Sequence, residues 1–189
     1  MQSSPSTVYS QSIDKQRIVV VGDGSARITG MILHVLRECK RRFDFSTAAG
    51  EQLSDAAVLI VSPAKGSNSL ANYHHHVLII SKLQQSDKAE ISALANATPK
   101  SGTIIYDEGD PLAKEIAKVE RADVNASPFA QTPHETQGGK FVLVSSTKEK
   151  YNTLLSASDD LRNIGAAKEL LKKIGISSGQ FYRSIASFQ

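Results

Sequence analysis

Arg17-Ile18-Val19-Val20-Val21-Gly22-Asp23-Gly24-Ser25-Ala26-Arg27 joins a strand to a helix through a glycine turn. Residues 17–21 are of strand length, and the unbroken apolar run Ile18-Val19-Val20-Val21 suits a strand buried on both faces. Gly22 and Gly24 then turn the chain into a helix. In that helix Ile28, Met31, Ile32, Val35, Leu36 and Cys39 fall at offsets 0, 3, 4, 7, 8 and 11, a 3.6-residue period. A strand, a glycine turn and a helix N-terminus make the ground plan of a nucleotide phosphate site, because free N–H groups and the helix dipole favour an anion there. The lysine of a Walker loop is missing from this one.

Further apolar runs follow the same logic. Residues 57–61, 77–80 and 103–106 are continuous and short, as buried parallel strands are. Phe43 and Phe45 alternate with polar neighbours and mark another strand. Asp87 with Glu90 predicts a capped helix start, and Asp110-Pro111 places an N-cap before a proline at the first helical position. That second helix turns Leu112, Ile116 and Val119 inward. Residues 134–146 read as a hairpin around Gly138-Gly139, with a further strand over 151–155. Leu161, Ile164, Leu171 and Ile174 mark a helix closed by Gly175, and Phe181, Ile185 and Phe188 a last short one. The expected fold class is α/β: a doubly wound, mainly parallel sheet with helices on both faces and a small antiparallel hairpin extension.

Composition narrows the function classes. The chain has 189 residues, 40% of them hydrophobic and 22% charged, values of an ordinary globular domain. Residues 1–16 are polar and Ser-rich and read as a disordered leader to a single domain over 17–189. A formal net charge of +3 gives no argument for nucleic acid, and Lys40-Arg41-Arg42 reads as a solvated helix end. No apolar run reaches the roughly 18 residues of a membrane span. A single cysteine excludes an intrachain disulfide and fits a reducing compartment, so the expected location is cytoplasmic. Cys39 reads as a packed core thiol. His74-His75-His76 reads as a solvent-facing loop into Val77 rather than a metal site, since consecutive residues of an extended segment point to opposite faces.

Three stretches together resemble the central, ATP-binding domain of the Mur ligases. They are most similar to the branch that joins UDP-N-acetylmuramate to the tripeptide L-alanyl-gamma-D-glutamyl-meso-diaminopimelate. The first is residues 22–36, GDGSARITGMILHVL, in place of a GTHGKTT-type loop and its helix. The second is residues 101–110, SGTIIYDEGD, continuing through Ala122-Asp123-Val124 and Thr132-Pro133-His134-Glu135. The third runs from Asp160-Leu161-Arg162-Asn163 through Ile174-Gly175-Ile176 to Phe188, similar to the family's HNxxNxxAA helix, its stop and its closing helix. The resemblance covers about residues 17–188 and implies a central domain without the family's two flanking domains.

The resemblance implies ATP with magnesium as cofactor and acid–amino-acid ligation as activity, and the family's catalytic positions are altered. Gly24 is followed by Ser25-Ala26-Arg27 where the family has Gly-Lys-Thr/Ser. Ser62-Pro63 stands where a magnesium-binding glutamate follows the strand, and Gln84-Gln85 where an Asp-His pair is expected. Asp159-Asp160 replaces the His-Asn pair, and Asn163 alone matches the family's adenine-contacting asparagine. Asp23 adds a carboxylate inside the turn; about 4 Å from a phosphate oxygen it costs about 1 kcal/mol in water and about 4 at an effective dielectric of 20. The leading expectation is a non-catalytic protein with no catalytic or metal-binding residues and no cofactor, acting through an unidentified protein partner beside peptidoglycan precursor synthesis. A second reading is a residual nucleotide module using Gly22, Gly24, Ser25, Arg27, Thr29 and Asn163. A third takes Gly22-x-Gly24 as a dinucleotide loop of an enzyme, with Asp44 as its ribose-binding acid.

Overall fold

The computed structural model describes residues 8, 10, 12–64, 70, 73–118 and 121–189. Among the described residues ten strands and five α-helices follow one another: β1 (Gln16–Val21), α1 (Ser25–Glu38), β2 (Asp44–Thr47), β3 (Gly50–Gln52), β4 (Val58–Ser62), β5 (Val77–Ile80), α2 (Lys88–Asn96), β6 (Thr103–Asp107), α3 (Pro111–Ala117), β7 (Asn125–Phe129), β8 (His134–Gln137), β9 (Lys140–Val144), β10 (Lys150–Asn152), α4 (Ser158–Lys173) and α5 (Ser178–Ile185). A seven-stranded sheet has the order β3-β2-β4-β1-β5-β6-β7, with every neighbouring pair parallel except β2–β3. A separate antiparallel sheet has the order β10-β9-β8.

The apolar runs are buried on both sides, as their continuity requires. Along β1, Ile18 and Val20 enter the core cluster shared with α1, α4 and α5, while Val19 and Val21 enter the one shared with α2 and α3. The three-stranded sheet closes the first cluster through Phe141 and Leu143. The expected fold class is thereby borne out, with a three-stranded extension where a hairpin was expected and its third strand at 150–152 rather than 151–155. Two strands have no apolar run to announce them. β3 reads Gly-Glu-Gln and β7 reads Asn-Ala-Ser-Pro-Phe. Each is a sheet edge, buried less than the central strands, so neither needs a hydrophobic pattern.

The helix signals hold unevenly. Asp110 caps α3 by accepting from the Ala113 amide at 2.8 Å and also accepts from the Leu83 amide at 3.0 Å. Asp87 does not cap α2; its carboxylate accepts from the Gln84 amide and closes a short 3-10 turn before the helix. Gly175, at φ +85°, ends α4 with Ile176 N–H donating to Leu171 O, a Schellman closure. α1 ends the same way, Arg41 N–H to Leu36 O, but the left-handed position is held by Lys40 at φ +53°. Ile116 is buried as expected, and Val119 lies outside the described residues.

Two readings are corrected, the leader and His75. Of the expected leader, residues 1–7, 9 and 11 lie outside the described residues, but Val8, Ser12 and Lys15 are buried and Gln16 already belongs to β1. Cys39, expected as a packed thiol, does pack against the core, half-buried at the end of α1 and 3.6 Å from the Ser184 hydroxyl. His75 is fully buried rather than solvent-facing. Its Nδ1 lies 3.2 Å from Tyr73 O and its Nε2 2.7 Å from Thr98 Oγ1, so the neutral ring protonated on Nδ1 satisfies both.

Burial drives the His75 pKa down to about 4, outweighing the favourable Tyr73 carbonyl and reinforced by the charges of His76, His74 and Arg17. The unfolded chain therefore takes up a proton, near its ordinary pKa of about 6.5, that the folded protein refuses. Stability is complete above that value and falls as the pH drops toward 4. Urea midpoints across this range should show a loss of about 3 kcal/mol, and His75→Asn should flatten the slope. A slope unchanged by that substitution contradicts the assignment.

Candidate functional site

The turn after β1 sits at the carboxyl ends of the parallel strands, where the order puts β1 between β4 and β5. Here the chain leaves β1 for one side of the sheet and returns through β5 on the other. In open α/β sheets the loops that diverge at such a point leave the crevice that holds a ligand. In this chain the two loops are joined. The Asp23 amide donates to Lys82 O at 2.7 Å, forming an isolated antiparallel bridge. The Ser81 hydroxyl lies 3.0 Å from Val21 O and 2.7 Å from Asp23 O, its single proton shared between two carbonyls. The Ser25 amide donates back to Gly22 O at 3.2 Å. Two amides of the turn are thus used within the protein.

The glycines have a structural reason to be glycines. Gly22 has φ +96°, and a Cβ there would lie 2.7 Å from Ser81 Oγ and 2.9 Å from Lys82 O. Gly24 has φ +86°, and its Cβ would lie 2.9 Å from Asn163 Oδ1. The tight crossing of two loops and the packing of α4 account for both.

Arg27 turns away from the loop. Its Nε and Nη2 donate to the two oxygens of Asp160 at 2.8 and 3.0 Å, and its Nη1 donates to Gln189 O at 2.8 Å. The guanidinium carbon lies 4.6 Å from the Phe188 ring centre, a cation–π stack. The hydrogen bonds to Asp160 raise the Arg27 pKa further, against the smaller effect of burial. Gly22 and Ser25 line a cleft of about 60 Å³ with Pro63, Leu83, Asp87 and Glu90. Arg27 and Asp160 instead border a separate open depression beside Lys140 and Ser156.

The first turn of α4 braces this region. Asp160 holds Arg27, and Arg162 Nη1 donates to both oxygens of Asp107 at 3.0 Å. Asn163 covers Gly24. Of the six residues named for a nucleotide, Gly22, Gly24, Ser25 and Asn163 do come together. Arg27 is directed elsewhere, and Thr29 is buried in α1 with no hydrogen-bond partner for its hydroxyl. Ser81, Lys82 and Arg162, which close and brace the turn, carry no sequence signal, because their roles exist only once β5, β6 and α4 meet β1.

The dinucleotide reading fails at its acid. Asp44 is fully buried, with Lys15 Nζ at 2.6 Å and the Ser54 hydroxyl at 2.6 Å. It is not available to a ribose. Among the described residues no group of three or more His, Cys, Asp or Glu is placed to hold a metal ion, and no helix is long and apolar enough to cross a membrane.

Comparison with solved structures gives the class of fold. The chain is similar over 98% of its length to a murein peptide ligase from Psychrobacter arcticus, at 14% identity and TM-score 0.76, covering 50% of that chain. It is equally similar to UDP-N-acetylmuramoylalanyl-D-glutamyl-2,6-diaminopimelate--D-alanyl-D-alanyl ligase from Acinetobacter baumannii, at 13% identity and TM-score 0.76, covering 98% of this chain and 48% of that one. A Mycobacterium tuberculosis folylpolyglutamate synthase complexed with ADP and AMPPCP matches at 11% identity and TM-score 0.67, covering 97% of this chain and 61% of that one. The fold is therefore that of the Mur ligase central domain, and the chain spans about half the length of the first two ligases. No family profile matches the chain, and no curated protein matches it.

Proposed function

We propose that this is a non-catalytic Mur-ligase-like protein that works by binding another protein, with its phosphate turn converted into a structural closure. The observation that carries the reading is the pairing of loops at the switch point: Asp23 N–H to Lys82 O, stitched by the Ser81 hydroxyl. Mg-ATP does not fit the residues present. A triphosphate needs free turn amides, a cation reaching its terminal oxygens and a carboxylate-held magnesium. Here the turn amides of Asp23 and Ser25 are used internally, Arg27 is held by Asp160, and the adjoining cleft carries Asp87 and Glu90. At about 60 Å³ that cleft is also far below the roughly 300 Å³ at which small-molecule sites begin. The names of the similar ligases support a link to peptidoglycan precursor metabolism, and a cytoplasmic location goes with it.

A thermal-shift panel of Mg-ATP, ADP, NAD(P) and UDP-muramyl peptides tests this reading. Any ligand present at about 100 times its dissociation constant adds about 2.7 kcal/mol, which moves the melting temperature by several degrees. A flat panel is expected. A nucleotide-dependent shift that Arg27→Ala abolishes would restore the nucleotide-module reading.

A further inference from the structure

We infer that the end of the molecule where α1 and α4 terminate is the docking surface for an acidic segment of a partner protein. This rests on the reading of the chain as a binding protein and names the surface and the partner's chemistry. Both helices begin beside the turn, where Arg27 meets Asp160, and both run to the opposite end of the sheet. There Arg41 Nη2 donates to Gly175 O at 3.4 Å, joining two segments more than a hundred residues apart. The junction collects Arg37, Lys40, Arg41 and Arg42 from the first segment and Lys172 and Lys173 from the second, all six exposed. Glu38, Asp55 and Glu169 are the carboxylates of the same segments and their contacts. The excess equals the whole formal charge of +3, so the rest of the molecule is close to neutral.

Helix-end solvation explains only part of this. Cations in the last turn offset the helix dipole, which covers Arg37, Lys172 and Lys173. It does not explain three consecutive cations beyond the end of α1. Nor does it explain Lys40, which holds a left-handed turn that glycine, as at Gly175, takes without strain. Of the six, only Arg42 has an ion pair among the described residues, with Asp55. Local preference at Lys40 is thus overridden by a charge with no ion-pair partner among the described residues, the kind of conflict expected at a working surface.

The pattern favours a carboxylate-bearing protein segment. Glu38, Asp55 and Glu169 leave the six cations a small excess of positive charge, which suits a short acidic segment better than the long run of phosphates a nucleic-acid site neutralises. The nearest aromatic, Phe43, is buried with Arg37 stacked 5.6 Å above it, so no ring is offered to a base. The large hydrophobic side chains exposed among the described residues are Ile13 and Leu154, and neither belongs to these helix ends to enter a bilayer.

Fluorescence anisotropy with a labelled oligoglutamate peptide tests the surface. The intact protein should bind saturably, and Arg41→Glu with Lys172→Glu should weaken binding about tenfold or more, since both cations face the same ligand. Lys40→Gly should raise the unfolding temperature while weakening binding, a combination that a purely structural lysine would not give. Lys148→Glu, in the turn before β10, should leave binding unchanged. Absence of binding, equal binding by the charge-reversed protein, or tighter binding to an RNA hairpin or to phosphatidylserine vesicles overturns the inference. With a flat nucleotide panel such a result removes this surface and leaves the preceding reading standing. Peptide binding beside a nucleotide-dependent shift does the opposite.

Discussion

Lys15→Met should destabilise the protein by about 3–5 kcal/mol in urea denaturation, the range for breaking a buried ion pair by removing one partner. Lys15 and Asp44 are the most buried ion pair among the described residues, with side chains 5% and 0% exposed. The ammonium also donates to Ser54 O at 2.6 Å and Ala56 O at 2.9 Å, fastening the chain before β1 to the loop between β3 and β4. Burial pushes the Asp44 carboxyl up, but the Lys15 ammonium and the Ser54 hydroxyl and amide together hold it below its ordinary value. In Lys15→Met burial is opposed only by the Ser54 hydroxyl and amide, and the buried charge loses its ion-pair partner. Replacing both, Lys15→Met with Asp44→Leu, should recover most of the loss, because the desolvation cost disappears with the charges. A single-variant loss below about 1 kcal/mol contradicts this account. In the intact protein the folded pKa of Asp44 lies below the unfolded one. Its contribution is therefore present above the unfolded value near pH 4 and is lost as the pH falls through the folded value.

Gly165→Ala should cost more than about 3 kcal/mol, above the usual overpacking range. A Cβ at Gly165 would lie 2.1 Å from Ala130 O and 3.3 Å from Ala130 C, both backbone atoms that no rotamer change can move. The helix position itself is ordinary, and in an open helix alanine would stabilise relative to glycine. The expected sign is thus opposite to propensity. It reports how closely α4 lies on the loop after β7, the contact that sets its first turn over Gly24, Arg27 and Asp107. A melting temperature unchanged or raised in Gly165→Ala would mean that α4 sits further from the sheet.

What the sequence made legible follows from where burial is symmetric. The central strands and α1 announce themselves, because a strand apolar on both faces and a helix with a 3.6-residue stripe have few other homes. The edges β3 and β7 do not, because an edge needs neither pattern. Lys15 looked like leader and His75 like loop for a related reason. A buried polar residue is recognised by its partner, and here the partners are Asp44 and Thr98, far along the chain. The candidate site was legible as a position. Gly22, Gly24, Ser25 and Asn163 do converge. Its state was less so: the sequence suggested that Asp23 acts through its carboxylate, whereas its backbone does the closing, with Lys82 and Ser81 brought alongside by the β1–β5 pairing.

On the proposed function the turn is a closed structural joint and not an anion site. It is tested most directly by titrating the isotope-labelled protein with Mg-ATP and following the backbone amide resonances of Gly22, Asp23, Gly24 and Ser25. No saturable shift is expected at any of the four, and the Asp23 amide should be protected from exchange by Lys82 O. Saturable shifts at these amides, with loss of Asp23 protection, would contradict it.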